Sequence, residues 1–72
     1  MERYRNSSGN SGVYSYEIGN DYIRVKFSGT SKIYTYSYRK AGNHHVENMK
    51  VLARSGSGLN NYINSYVKFK YD

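Results

Sequence analysis

The 72 residues contain no cysteine, no proline and no tryptophan, and only five of them are acidic. Without cysteine there are no disulfides and no thiolate–metal ligands. That fits a reducing cytoplasm better than a small secreted scaffold. No apolar run approaches the roughly 20 residues of a membrane-spanning helix. Met1–Arg5 has no apolar segment behind it, which predicts no signal peptide. The five acids are scattered, and no nucleophile has an identifiable base and orienting partner. The expectation is therefore a chain without enzymatic activity, metal or cofactor.

What is present is positive charge and tyrosine. Eleven Lys plus Arg leave a net charge of +6, which attracts phosphates, acidic proteins or anionic surfaces and also keeps a small domain soluble. The ten tyrosines carry large rings whose hydroxyls need a partner or water when buried. A chain this short buries only about 60% of the surface its unfolded form exposes. One small core fits that limit, but a core plus a deep catalytic cavity does not.

Ile33-Tyr34-Thr35-Tyr36-Ser37-Tyr38 organises the rest. Rings alternate with small residues, so a strand there puts three tyrosines on one face. Residues 1–12, with Asn6-Ser7-Ser8-Gly9-Asn10-Ser11-Gly12, read as a flexible leader, and 13–72 as a single domain. Val13–Ile18 alternates, with Tyr14, Tyr16 and Ile18 on one side and Val13, Ser15 and Glu17 on the other. Gly19-Asn20 suits a two-residue hairpin turn. Asp21–Phe27 follows, with Ile23, Val25 and Phe27 opposite Tyr22, Arg24 and Lys26. That turn pairs Ile18 with Asp21, Tyr16 with Ile23 and Tyr14 with Val25, which gathers the apolar residues on one face. A loop over Ser28–Ser31 then pairs Phe27 with Lys32, Val25 with Tyr34 and Ile23 with Tyr36.

Beyond Arg39-Lys40-Ala41-Gly42 the period becomes helical. Asn43 or His44 is the expected cap, with Glu47 in the first turn. Val46, Met49, Leu52 and Ala53 make the apolar stripe, and Gly56 ends the helix. A second helix is expected from about Ser57 to Phe69, with the stripe Leu59, Tyr62, Ile63, Tyr66. The alternating tail Lys68–Asp72 is expected to fray or leave it. The fold class is thus α+β: a three-stranded antiparallel meander followed by two helices on one face, β-β-β-α-α.

In this order the residues resemble the KTSC domain, a short bacterial and phage module also found at the C-terminus of some lysyl-tRNA synthetases. The resemblance spans roughly Ser7 to Tyr66. It is carried by Tyr34-Thr35-Tyr36, by Phe27-Ser28-Gly29 before it, and by Ala53, Ser55, Gly58, Asn60 and Ile63 after it. Ser7-Ser8 also looks similar. The turn before Tyr34 is longer than usual in that family, and the Val-Pro that often follows the tyrosine pair is absent. The family's function is unassigned. The resemblance implies the fold and, through the synthetase association, suggests RNA binding.

Each candidate site has a plainer alternative. Tyr34, Tyr36 and Tyr38 can stack unpaired bases. Helices with apolar stripes must cover some apolar face, however, so Tyr34 and Tyr36 are read as the floor beneath them and Tyr38 as exposed. Arg24 and Lys26 project from the opposite face, and Lys32, Arg39 and Lys40 extend a basic surface that Arg54 can join; such residues contact phosphates or merely solvate the sheet. The nucleic-acid candidates are Tyr22, Arg24, Lys26, Lys32, Tyr38, Arg39 and Lys40. His44-His45 lacks further ligands and is read as a loop or cap. Ser55-Gly56-Ser57-Gly58 lacks a nucleotide-loop pattern and is read as a connection between helices. The leading expectation is a small non-enzymatic module that binds single-stranded RNA. The alternative is a protein-interaction or homo-oligomeric assembly module, its unpaired strand edges open to another chain. The chain is expected to be a monomer or a weak homo-oligomer.

Overall fold

A computed structural model describes residues 1–7, 9 and 12–72. Its antiparallel sheet has four strands in sequence order, β1 (Glu2–Arg3), β2 (Val13–Ile18), β3 (Tyr22–Phe27) and β4 (Ile33–Ser37). Two helical elements follow, α1 (Asn43–Ser55) and α2 (Leu59–Tyr62), the latter running into a π-helical turn, Ile63–Val67. The α+β class holds, with one strand more than the alternation pattern predicts.

The extra strand corrects the reading of the first residues as a leader. Glu2 pairs with Tyr16 and Arg3 with Ser15. The Tyr4 ring is buried, and its hydroxyl accepts the Leu59 N–H at 3.3 Å. Ser7 N–H donates to the Gly56 carbonyl at 2.8 Å. This segment therefore closes the domain by tying β2 to the α1–α2 junction. Ser8, Asn10 and Ser11, also assigned to the leader, lie outside the described residues.

The β3–β4 register is the expected one, with Ile23 opposite Tyr36 and Val25 opposite Tyr34. The β2–β3 register is displaced by two residues: Ile18 opposes Ile23 and Tyr16 opposes Val25. The hairpin closes through Gly19 N–H to the Tyr22 carbonyl at 3.0 Å, with Asn20 and Asp21 at its tip rather than Gly19 and Asn20. Gly19 serves close approach instead of positive φ, since a Cβ there would stand 2.1 Å from the Tyr22 ring. A displacement of two preserves every face, because side chains alternate with a period of two.

Two residues do change sides. The β2–β3 pairing is irregular between Val13 and Ser15, an extra residue that reverses the alternation. Val13 enters the core and Tyr14 turns to the outer face, where it is 40% exposed.

The covered face carries Tyr16, Ile23, Val25 and Tyr36, packed under Val46, Met49 and Ala53 of α1 and under Leu59, Ile63 and Val67. Helix α1 starts at Gly42, whose carbonyl accepts the Val46 N–H at 3.1 Å; no side chain caps it and no acid lies in its first turn. Asn43 and His44 are thus its first residues, not its cap, and Glu47 sits one turn in. The helix ends at Gly56 in the left-handed region, as expected. Beyond it, the π turn takes more residues per turn than an α-helix. The apolar stripe consequently runs Leu59, Ile63, Val67 and leaves Tyr66 exposed. The tail departs from the helix and reaches the outer edge of β4. There Asp72 N–H donates to the Thr35 carbonyl at 2.7 Å, and its carboxylate accepts from the Ser37 hydroxyl at 2.7 and 2.8 Å.

Candidate nucleic-acid interface

Both helical elements lie on one side of the sheet, so among the described residues no helical layer covers its other face. The register places its side chains in rows. Arg3, Ser15, Lys26 and Ile33 form one row from β1 to β4, and Glu17, Arg24 and Thr35 form the next. Tyr22 follows on β3, and the bulge adds Tyr14 beside the first row.

Two rings on this face are each dressed by cations. The Arg3 guanidinium lies 4.4 Å and the Lys26 ammonium 4.6 Å from the Tyr14 ring centre. Arg24 lies 4.8 Å from that of Tyr22. Cations in this position are held by the ring quadrupole. Glu17 is the acid on this face. It pairs with Arg24 at 3.3 Å and accepts the Tyr22 hydroxyl at 3.4 Å. Both members of that ion pair are more than 40% exposed, so solvent screens it and the pair mainly orients the two side chains. Arg3, Arg24 and Lys26 against Glu17 leave the face positive. Ser15 is buried within it and donates toward the Met1 sulfur at 3.7 Å.

No family model, no curated protein and no solved structure matches this chain. The interface therefore stands on its own geometry.

Of the residues singled out from sequence, Tyr22, Arg24 and Lys26 come together here. Lys32 lies in the exposed loop between β3 and β4, and Arg39 and Lys40 in the exposed turn that leads to α1. Tyr38 is half-buried on the helix side. Its hydroxyl donates to the Glu47 carboxylate, and the Lys50 ammonium sits 5.5 Å from its ring centre. That hydrogen bond, more than its slight burial, raises the Tyr38 pKa. The carboxylate of Glu47 is held below its ordinary range first by Lys50 and then by Tyr38. Lys50 is itself buried and donates to the Asn20 carbonyl at 3.0 Å, pinning α1 to the β2–β3 hairpin. Tyr38 thus belongs to a structural junction, and the expectation of an exposed ring is corrected.

Arg3 and Tyr14 were not among the sequence candidates. Strict alternation assigns Tyr14 to the core, and Arg3 falls in the presumed leader. Neither position carries a sequence signal that points to this face.

No group of three or more His, Cys, Asp or Glu able to hold a metal occurs among the described residues. His44 and His45 lie in the first turn of α1. His45 Nδ1 is 2.7 Å from the Tyr62 hydroxyl, and the Asn48 amide donates to that hydroxyl at 3.2 Å. These contacts join α1 to α2. Ser55–Gly58 is the link between the two helices, with the Ser55 hydroxyl donating to the Leu52 carbonyl at 2.9 Å.

Proposed function

We propose that this chain is a small non-enzymatic module that binds single-stranded nucleic acid, RNA above all, on its uncovered sheet face. The observation that carries the reading is the clustering of Tyr14 and Tyr22 with Arg3, Arg24 and Lys26 on that face. Tyrosine faces stack bases of any sequence, and the cations contact phosphates. Kinship with the KTSC domain is part of the same proposal, supported by the order of Phe27-Ser28-Gly29 and Tyr34-Thr35-Tyr36. No helix of the described residues is long and apolar enough to cross a membrane. The lack of cysteine supports a cytoplasmic location.

The test is titration with short RNA and DNA at two salt concentrations. Three phosphate contacts on a single strand give a slope of log K against log salt of about −2. Tyr14→Ala should weaken binding by about 1–3 kcal/mol if one base stacks there. Binding that is absent at low salt, or indifferent to salt, refutes the proposal.

A second reading has its own observation. Ile33 is 51% exposed on the same face at the β4 edge, where a second copy could add a strand. Sedimentation across a concentration range separates the two: self-association lost in Ile33→Lys supports assembly, and a monomer at every concentration removes it.

A further inference from the structure

On the helix-covered side of the sheet, at the end where β3 turns into β4, a cavity of about 330 Å³ opens between Phe27, Tyr34, the π turn and the tail. That volume lies at the lower end of small-molecule sites, roughly 300–1,000 Å³. Its walls are rings. Phe27 meets Tyr34 edge-on at 5.6 Å, and Tyr71 meets Tyr34 at 4.8 Å and Tyr36 at 6.3 Å, also edge-on. Phe69 stands at the rim, 77% exposed.

Beside the Thr30 hydroxyl, which accepts the Lys32 N–H at 3.1 Å, three polar features bear on what such a cavity accepts. Tyr36 is 1% exposed and its hydroxyl has no hydrogen-bond partner among the described residues; since no unpaired side-chain oxygen is sealed from solvent, that hydroxyl reaches the cavity the residue lines. Burial, and then the neighbouring Tyr34 and Tyr71 phenols, push its pKa up to about 12, so it is a hydrogen-bond donor at any physiological pH. The Asn64 side-chain amide, on the π turn, also lines the cavity without a partner among the described residues and offers a donor beside an acceptor. Lys68 is the lining cation, and no acidic residue lines the wall with it.

We propose that this cavity binds a nucleotide. The base enters among the Phe27, Tyr34 and Tyr71 rings, its polar edge meets the Tyr36 hydroxyl and the Asn64 amide, and its phosphate faces Lys68. A hydrocarbon ligand leaves the phenol and the amide unanswered. An aromatic side chain of a protein partner brings no anion for Lys68. A free nucleotide and an unpaired residue of an RNA strand share the required chemistry. The cavity lies across the sheet from Tyr14 and Tyr22, so it does not rest on the reading of the outer face.

The experiment is a titration of the full chain, followed by amide chemical shifts, with each common ribonucleoside 5′-monophosphate, with the phosphate-free nucleosides and with short single-stranded RNA. Saturable shifts at Tyr34, Asn64 and Tyr71 are expected. Asn64→Ala and Lys68→Ala, both at exposed positions, should each weaken binding about tenfold. Tyr36→Phe should weaken it while keeping the fold. Lys68→Ala should also erase the preference for nucleotide over nucleoside. Shifts with mononucleotides identify a free nucleotide as the source, and shifts with RNA alone identify a strand. No shift at these residues with either ligand, or binding unchanged in both Asn64→Ala and Lys68→Ala, overturns the proposal. RNA binding that Tyr14→Ala abolishes and Asn64→Ala leaves intact overturns the cavity and keeps the outer face; the converse pattern keeps the cavity and removes the face.

Discussion

Replacing Tyr36 with alanine should unfold most of the protein. The ring lies near the C-terminal end of β4, opposite Ile23, and is 1% exposed. Removing a buried aromatic ring costs about 3–5 kcal/mol. A domain of 72 residues, at about 0.05–0.15 kcal/mol per residue, has about 4–11 kcal/mol in total. The loss is thus comparable with the whole at the low end, where a small cysteine-free domain belongs. Tyr36→Phe keeps the ring and removes a hydroxyl with no internal partner, so it should stay within about 1 kcal/mol of the parent. Urea unfolding followed by circular dichroism measures both. The pair has a further signature in pH. The folded state holds the Tyr36 phenol at about 12, above its ordinary 10, because it favours the neutral form. Stability from this source is complete below pH 10 and is lost as pH rises through 12. The gap corresponds to at most about 3 kcal/mol, and to less once solvent screening of a hydroxyl that opens to the cavity is counted. Tyr36→Phe should lose less stability over that interval than the parent. Tyr16, raised by burial and by Glu2, keeps some alkaline loss in both. A Tyr36→Ala protein that loses less than about 1 kcal/mol would refute the assignment of this ring to the core.

Three further outcomes are expected. Tyr4→Ala should destabilise by about 3–5 kcal/mol in the same urea assay, since its ring is buried beside Leu59; a change near zero would mean that β1 is dispensable. Gly56→Ala should cost at least about 1 kcal/mol, because the residue sits at φ +75° and a Cβ would stand 2.5 Å from Arg5 Cβ, and it should speed hydrogen exchange at Ser7. Glu47→Gln should flatten the acid limb of a stability–pH profile. The Glu47 pKa is lowered in the fold, so its contribution is present above about pH 4.5 and disappears as pH falls through the folded value.

Local pattern sufficed where one face was strongly marked. Tyr34 and Tyr36 alternate with Thr35, and Ile23, Val25 and Phe27 alternate with Arg24 and Lys26, so hydrophobicity assigns the faces of β3 and β4 and the four-residue loop over Ser28–Ser31 sets their register. The β2–β3 hairpin did not, because Gly19-Asn20 carries a turn signature while Gly19 is in fact needed to let the Tyr22 ring pass. The error left every face intact. The bulge was invisible for a different reason: an extra residue in a strand leaves no mark when both neighbours, Val13 and Tyr14, suit a core. β1 spans two residues, too few for any period to show, and its worth lies in the long-range burial of Tyr4. The π turn likewise substitutes Val67 for Tyr66 through packing that a helical wheel cannot register. Of the interface, Arg24, Lys26 and Tyr22 could be read from alternation, whereas Arg3 and Tyr14 required the tertiary structure.

The clamp of Asp72 on β4 has a consequence for how the protein behaves in crowded solution. A sheet grows into polymers through its edge strands, and this one offers two edges. β1 presents two residues, and β4 has its Thr35 carbonyl and Ser37 N–H already engaged by the tail. What remains open on β4 is the short stretch around Ile33. Removing the carboxylate with Asp72→Ala would free the Ser37 N–H while the backbone bond to Thr35 stays, lengthening the open stretch and making the blunted end a better template for the next chain. The tail is thus a guard on solubility as well as a wall of the aromatic cavity.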